Sequence, residues 1–174
     1  MPEQLTHEPA TRAGWMVPAI RQAGIVVVVF VAVGVLAGVV WEWLWTPPVG
    51  VVVEHEWLLG LAGLQAEFTA TGVYVVVASV AGLLIGTLCS LFLDRAELVT
   101  LVAVLVGAVL AGWVMLQVGQ ALGPPDPREL AKTARDGTRL PSDLRIAGNS
   151  PYVAFPAGAT LGVAVVLLGM TKRQ

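Results

Sequence analysis

The sequence predicts an all-α membrane protein: a four-transmembrane-helix bundle with a small extracytoplasmic cap made of a short helix and a two-stranded pairing. Two observations predict the bundle. Of 174 residues, 56% are hydrophobic and only 13% charged, whereas about a quarter of a soluble domain is charged. Four windows, 22–44, 73–93, 98–121 and 151–169, also reach the length of about 20 apolar residues that crosses a hydrocarbon core about 30 Å thick. A third observation predicts the cap. The outer connections 46–72 and 122–150 are long enough to hold structure outside the membrane, and both fall on the same side of it.

Residues 1–21 read as a polar tail, interrupted by Pro2, Pro9 and Pro18 and without a helical stripe. The apolar run 25–44 in the first span is too long for a cleavable secretory signal, and no small-residue cleavage site follows it, so it is expected to stay attached. The span ends in "GVVWEWLWTPPVG". Trp41, Trp43 and Trp45 are expected there as interfacial anchors, because an indole has an apolar body and a hydrogen-bonding edge. At about 100° per residue Trp41 and Trp45 share a face and Trp43 points away. Pro47 and Pro48 then stop the helix where water can satisfy the backbone. Lys and Arg divide five and five between the two sides, but Arg12 and Arg21 precede the first span and no cation follows it until Arg95. That asymmetry places both termini, 1–21 and 170–174, in the cytoplasm and the chain in the cell membrane.

In the first connection, "VGVVVEHEW" reads as one extended segment with Val51, Val53, His55 and Trp57 on one face and Val52, Glu54 and Glu56 on the other. It is expected to pair with 142–147. The turn 94–97 between spans two and three is so short that these helices are expected as antiparallel neighbours. In the second connection Asp126, Pro127 and Glu129 form a helix-start signal, predicting a helix over 127–135 closed by Gly137, with Arg128, Lys132 and Arg135 as a solvated basic stripe. After it Leu140, Ser142, Leu144 and Ile146 alternate as a short strand would. "LAGVV" followed by "PP" in 36–48 is echoed by "LAGWV" and "PP" in 110–125, a weak sign of an internal repeat. Pro156 is expected to kink the last span.

Lipid tails are as apolar as Leu, so helices in a membrane associate through the close approach that small residues permit. Every span supplies them at four-residue spacing: Gly34 and Gly38; Ala78, Gly82, Gly86 and Ser90; Ala108 and Gly112; Ala154, Gly158 and Gly162. These glycines are the expected packing residues.

An ionisable residue at mid-membrane depth would mark a transport path, but Glu42, Glu67 and Asp94 all sit at or beyond span boundaries. The candidate polar site is therefore at the outer end. Gln117 and Gln120 share a face of span three with Trp113, at the depth of Glu42. The grouping reads first as interhelical hydrogen bonding and second as a shared polar pocket. Glu54-His55-Glu56 carries metal-ligating side chains, but an extended chain turns the imidazole from both carboxylates, and the other histidine, His7, is expected on the opposite side. The lone Cys89 cannot form an internal disulfide, and a net charge of −2 without a basic cluster points away from nucleic acid. No phosphate loop, nucleophile elbow or zinc-protease motif occurs. No catalytic, cofactor-binding or metal residue is assigned, no cofactor is expected, and the chain is not expected to be an enzyme.

In "WEWLWTPPV", "AEFTATGVY", "AGLLIG", "GWVMLQVGQALGP" and "AFPAGATLG" the chain resembles an uncharacterised family of actinobacterial four-span membrane proteins carrying a domain of unknown function, over roughly 30–170. The resemblance implies a cell-envelope membrane protein and brings no activity with it. The expected function is contact: an accessory or scaffold subunit, surrounded by membrane lipid, bound to a membrane-protein partner or to a second copy. The alternative is a small transporter or channel with its site at Glu42, Gln117 and Gln120.

Overall fold

The computed structural model describes residues 16–92, 97–148 and 150–171, which form a four-helix membrane bundle with a small three-stranded sheet at one end. Helix α1 is Met16–Leu44, α2 Leu61–Phe92 and α3 Glu97–Leu122; the short α4, Pro127–Ala131, lies in the cap, and a 3-10 turn, Ser150–Val153, leads into α5, Ala154–Thr171. Four stretches are long and apolar enough to cross a membrane: Ile20–Leu44, Phe68–Leu91, one beginning at Leu101, and Ser150–Gly169.

Two helices begin earlier than their apolar windows. α1 starts at Met16, within the expected tail, and tolerates Pro18 because the N–H that proline lacks has no helical partner in a first turn. α2 starts at Leu61 rather than 73. Its first turns contain Gln65 and Glu67 and fail an apolarity test, yet Leu, Ala, Gln and Glu are all good helix formers. At about 1.5 Å per residue, its 32 residues span about 48 Å, enough to leave the hydrocarbon core and support the cap.

Glycine sets the helix packing. Gly34 lies against the backbone of Ala111, Gly38 against the carbonyl of Met115, Gly107 against the ring of Phe30, and Gly119 against the ring of Trp41. The contacts advance together along both helices, so α1 and α3 are parallel. Gly82 lies beneath the carbonyl of Phe155, Gly86 beneath that of Ala159, Gly158 beneath that of Ser79 and Gly162 beneath that of Leu83. These contacts make α2 and α5 a second parallel pair. Gly112 meets Phe155 and the Tyr74 hydroxyl where the pairs join. All seven glycines expected at contacts are buried.

The bundle is thus built from parallel pairs rather than from the hairpins that the chain order suggests. α2 and α3 touch each other far less than each touches its parallel partner; residues 93–96 of their connection lie outside the described residues. The echoed segments fall on the paired helices α1 and α3, but Gly38 faces Met115 while Gly112 faces Phe155, so their contacts are not equivalent. Phe30 and Phe155, both fully buried, cross between the pairs with ring centroids 6.3 Å apart.

At one end of the bundle the two connections fold together. Strand β1 (Val49–Val53) pairs antiparallel with β2 (Glu56–Leu58) on one side and with β3 (Arg139–Pro141) on the other. The single extended segment expected over 51–57 is instead a hairpin: Glu54 and His55 form a two-residue turn at φ 51° and 63°. Positive φ at both residues matches the twist of the flanking strands. The reversal places Val52 opposite Trp57, and the two are buried together with Ala131 while Val51 and Val53 are exposed. The expected partner 142–147 is displaced by 139–141, where Pro141 is tolerated because β3 is an edge strand.

Beyond β3 the Ser142 N–H still donates to the Pro48 carbonyl (2.8 Å) before the chain turns into the bundle mouth. Leu144 is buried there in the main core, against Gly123, and the Ala147 N–H donates to the Thr71 hydroxyl of α2 (2.9 Å). The helix expected over 127–135 starts as its signal indicates, with the Asp126 carboxylate accepting from the Arg128 N–H at 2.9 Å, but ends at Ala131. The next residues turn so that the Val52 N–H donates to the Thr138 carbonyl (2.9 Å) and the Gly137 N–H to the Val52 carbonyl (2.8 Å).

Candidate functional site

The tryptophan-rich end of α1 forms the floor of the bundle mouth. Trp41 is fully buried and its Nε1–H donates to the Ala70 carbonyl at 2.9 Å. Its ring meets that of Tyr74 edge-on at 5.0 Å, and the Tyr74 hydroxyl donates to the Gly112 carbonyl at 3.0 Å. Three helices are fastened there by polar groups that would be costly to leave unpaired in a membrane. Trp45, on the same face, is 7% exposed, whereas Trp43 is 77% exposed. Trp43 alone of the three expected anchors projects outward. Trp41 packs inside because α2 and α3 close around it, and Trp45, one residue beyond α1, lies beside Ala70 and the cap residues 142–147.

Of four cavities among the described residues, none is lined by Glu42, Gln117 and Gln120 together. Gln120 lines an open cavity of about 590 Å³ beneath the cap, together with Asp126, Asp143, Arg145 and Tyr152; neither Glu42 nor Gln117 lines it. Gln117 is exposed on α3, as is Trp113, and Glu42 is half-buried on α1. A shared helical face had implied proximity, but it does not fix which neighbour each side chain meets.

The cap supplies the polar cluster instead. The Arg145 guanidinium pairs with Asp126 through Nη2 at 2.7 Å and with Asp143 through Nε. Burial opposes its charge, but the hydrogen bond and charge of Asp143, reinforced by Asp126, outweigh that opposition and hold its pKa above the ordinary value. Nearby, the Arg128 guanidinium lies over the Trp57 ring, 5.7 Å from its centroid, a cation–π arrangement. The Trp57 Nε1–H donates to the Leu140 carbonyl at 3.1 Å. Trp45, Arg128, Ser142, Asp143 and Arg145 line a second cavity of about 180 Å³.

The sheet has two unlike faces. Val52 and Trp57 lie inward; on the other side Val49, Val51 and Val53 alternate outward and are joined by Leu58, paired with Val51. These four are between 37% and 58% exposed. Pairing places Glu56 beside Val53 and Arg139 beside Val51, which gives the apolar face a charged rim.

Neither feature has a spacing motif. Arg145 finds one partner two residues away and the other nineteen away, across a turn that sequence alone does not close. Val51 and Val53 share a face in the extended reading too, but Leu58 joins them only because the chain reverses at Glu54-His55, the exposed hairpin tip. Comparison of the chain with protein-family models, with curated proteins and with solved structures finds no match.

Proposed function

We propose that this is a multi-pass cell-membrane protein that acts by contact, as an accessory or scaffold subunit of the cell envelope, docking a membrane-protein partner or a second copy on its cap. The supporting observation is the outward face of Val49, Val51, Val53 and Leu58. An apolar centre with charged residues at its edge is the composition of a protein–protein contact surface. The resemblance to actinobacterial four-span proteins agrees with an envelope location. In this reading the bundle is the rigid mount and the cap the working surface.

Purification in mild detergent with quantitative mass measurement tests the proposal. The expected result is a defined stoichiometric complex, heteromeric or homomeric, that is lost when Val51→Lys and Val53→Lys are introduced together. A chain that stays monomeric and partner-free, while moving a solute in proteoliposomes, would favour the transporter alternative and direct attention to the cavity containing Gln120.

A further inference from the structure

The valine face of the cap sheet is flanked by two opposite charges without an ion-pair partner among the described residues. Glu56 and Arg139 are exposed, and the ion pairs that form, Lys132 with Glu129 and Arg145 with Asp126 and Asp143, include neither. The strand order β2-β1-β3 puts them on opposite edges, with the valines of β1 between them. Register fixes their offset: Glu56 is level with Val53, whereas Arg139 is level with Val51 and Leu58.

An acid on one edge and a base on the other make this face complementary to itself. A two-fold axis along β1 lays two such faces together and exchanges their edges, so that β3 of each copy lies over β2 of the other. Packed sheets are about 10 Å apart, and two residues of a strand advance about 7 Å. The aliphatic stem of Arg139 then covers Leu58 of the other copy, and its guanidinium reaches Glu56 one step along the same strand. Gly137, two residues along the edge from Arg139, has open space around it and no side chain to obstruct the pair.

The bundle is compatible with this axis. Pro48, just before β1, accepts from Ser142, two residues from the core residue Leu144, whereas Val53 leads to the exposed tip at Glu54-His55. β1 thus runs outward from the bundle mouth, and a two-fold axis along it keeps both copies in the same direction across one membrane. A face of four apolar side chains is smaller than the about 800 Å² per partner of a standard interface. Two copies already aligned in a membrane, however, have less translational and rotational freedom to lose.

We infer, on the reading that the cap acts by contact, that its partner is a second copy of this chain, bound face to face through Val49, Val51, Val53 and Leu58 and closed at both edges by Glu56 with Arg139.

Energy transfer between donor- and acceptor-labelled copies of the full chain, tagged after Gln174 and reconstituted alone in phosphatidylcholine vesicles, tests this. Transfer above that of randomly placed monomers at the same density is expected. Glu56→Arg or Arg139→Glu, each of which turns two attractive pairs into repulsive ones, should weaken the dimer about tenfold. Mixing the two variants, donor on one and acceptor on the other, should restore it, because each then offers the charge that the other lacks; the rescue also shows that both fold. A monomeric wild type, a dimer indifferent to both substitutions, or a mixture that stays apart overturns the inference. A wild type that is monomeric alone, yet leaves its native membrane in a heteromeric complex that Val51→Lys with Val53→Lys abolishes, overturns the second copy and leaves contact through the cap standing. Absence of both the dimer and any such complex removes the contact function as well.

Discussion

The indole N–H of Trp41 donates to the backbone carbonyl of Ala70 across 2.9 Å, tying the cap-side end of the first helix to the second, which it touches far less than it touches α3. Below this bond α1 and α2 diverge around an open apolar groove of about 460 Å³ lined by Val33, Ala37, Val40, Val77, Val80 and Ile85 among others. This bond joins the two parallel pairs alongside the Tyr74–Gly112 hydrogen bond and the Phe30–Phe155 ring contact.

Trp41→Phe should retain most of the ring contact with Tyr74 while deleting this donor. A loss of about 1 kcal/mol is expected, the net worth of a typical hydrogen bond. Unfolding in mixed micelles measures it, and the substitution should loosen α1 against α2 more than α1 against α3.

Gly82 and Gly72 lie on the same helix and should respond in opposite directions. A Cβ on Gly82 would collide with the carbonyl of Phe155, whereas a Cβ on Gly72 meets nothing within 4 Å. Gly82→Leu should cost about 1–3 kcal/mol or more, because the α5 backbone has to retreat. Gly72→Ala should be neutral or stabilise by up to about 1 kcal/mol through helix propensity. The midpoint of thermal unfolding in detergent distinguishes the two. Unchanged stability in Gly82→Leu would contradict the α2–α5 contact.

The hairpin tip offers a stabilising change. Glu54 and His55 sit at positive φ, which asparagine and glycine adopt at lower cost. Glu54→Asn combined with His55→Gly should raise cap stability by about 1 kcal/mol. Amide hydrogen exchange of Val52 and Trp57 should slow accordingly, and faster exchange would mean that the turn is not formed as described.

The bundle was readable because its determinants are local. Apolar length marks the spans, and glycines spaced by four mark the faces that touch. The pairing of those faces was not readable: a glycine stripe says that some backbone comes close, and only the folded chain shows Gly34 on Ala111 and Gly82 on Phe155. The cap was harder still. Glu-His lacks the Asn-Gly signature of a two-residue turn, so alternation was carried through the reversal and put Val52 and Trp57 on opposite faces. The Arg145 cluster was not legible in the sequence for the same reason. Glu42, Gln117 and Gln120 were grouped by depth, whereas the cluster that forms depends on Arg145 meeting Asp126 across a cap whose closure is long-range.

The proposed contact through the valine face requires the cap to be displayed on the outer surface. The most direct test is a reporter that works only in the cytoplasm, fused after Gln174 and, separately, inserted at Gly137, where the chain turns at φ 83° with open space around it. Activity after Gln174 and none at Gly137 is the expected result. The reverse pattern, or activity at both positions, would contradict an outer cap on a four-span bundle.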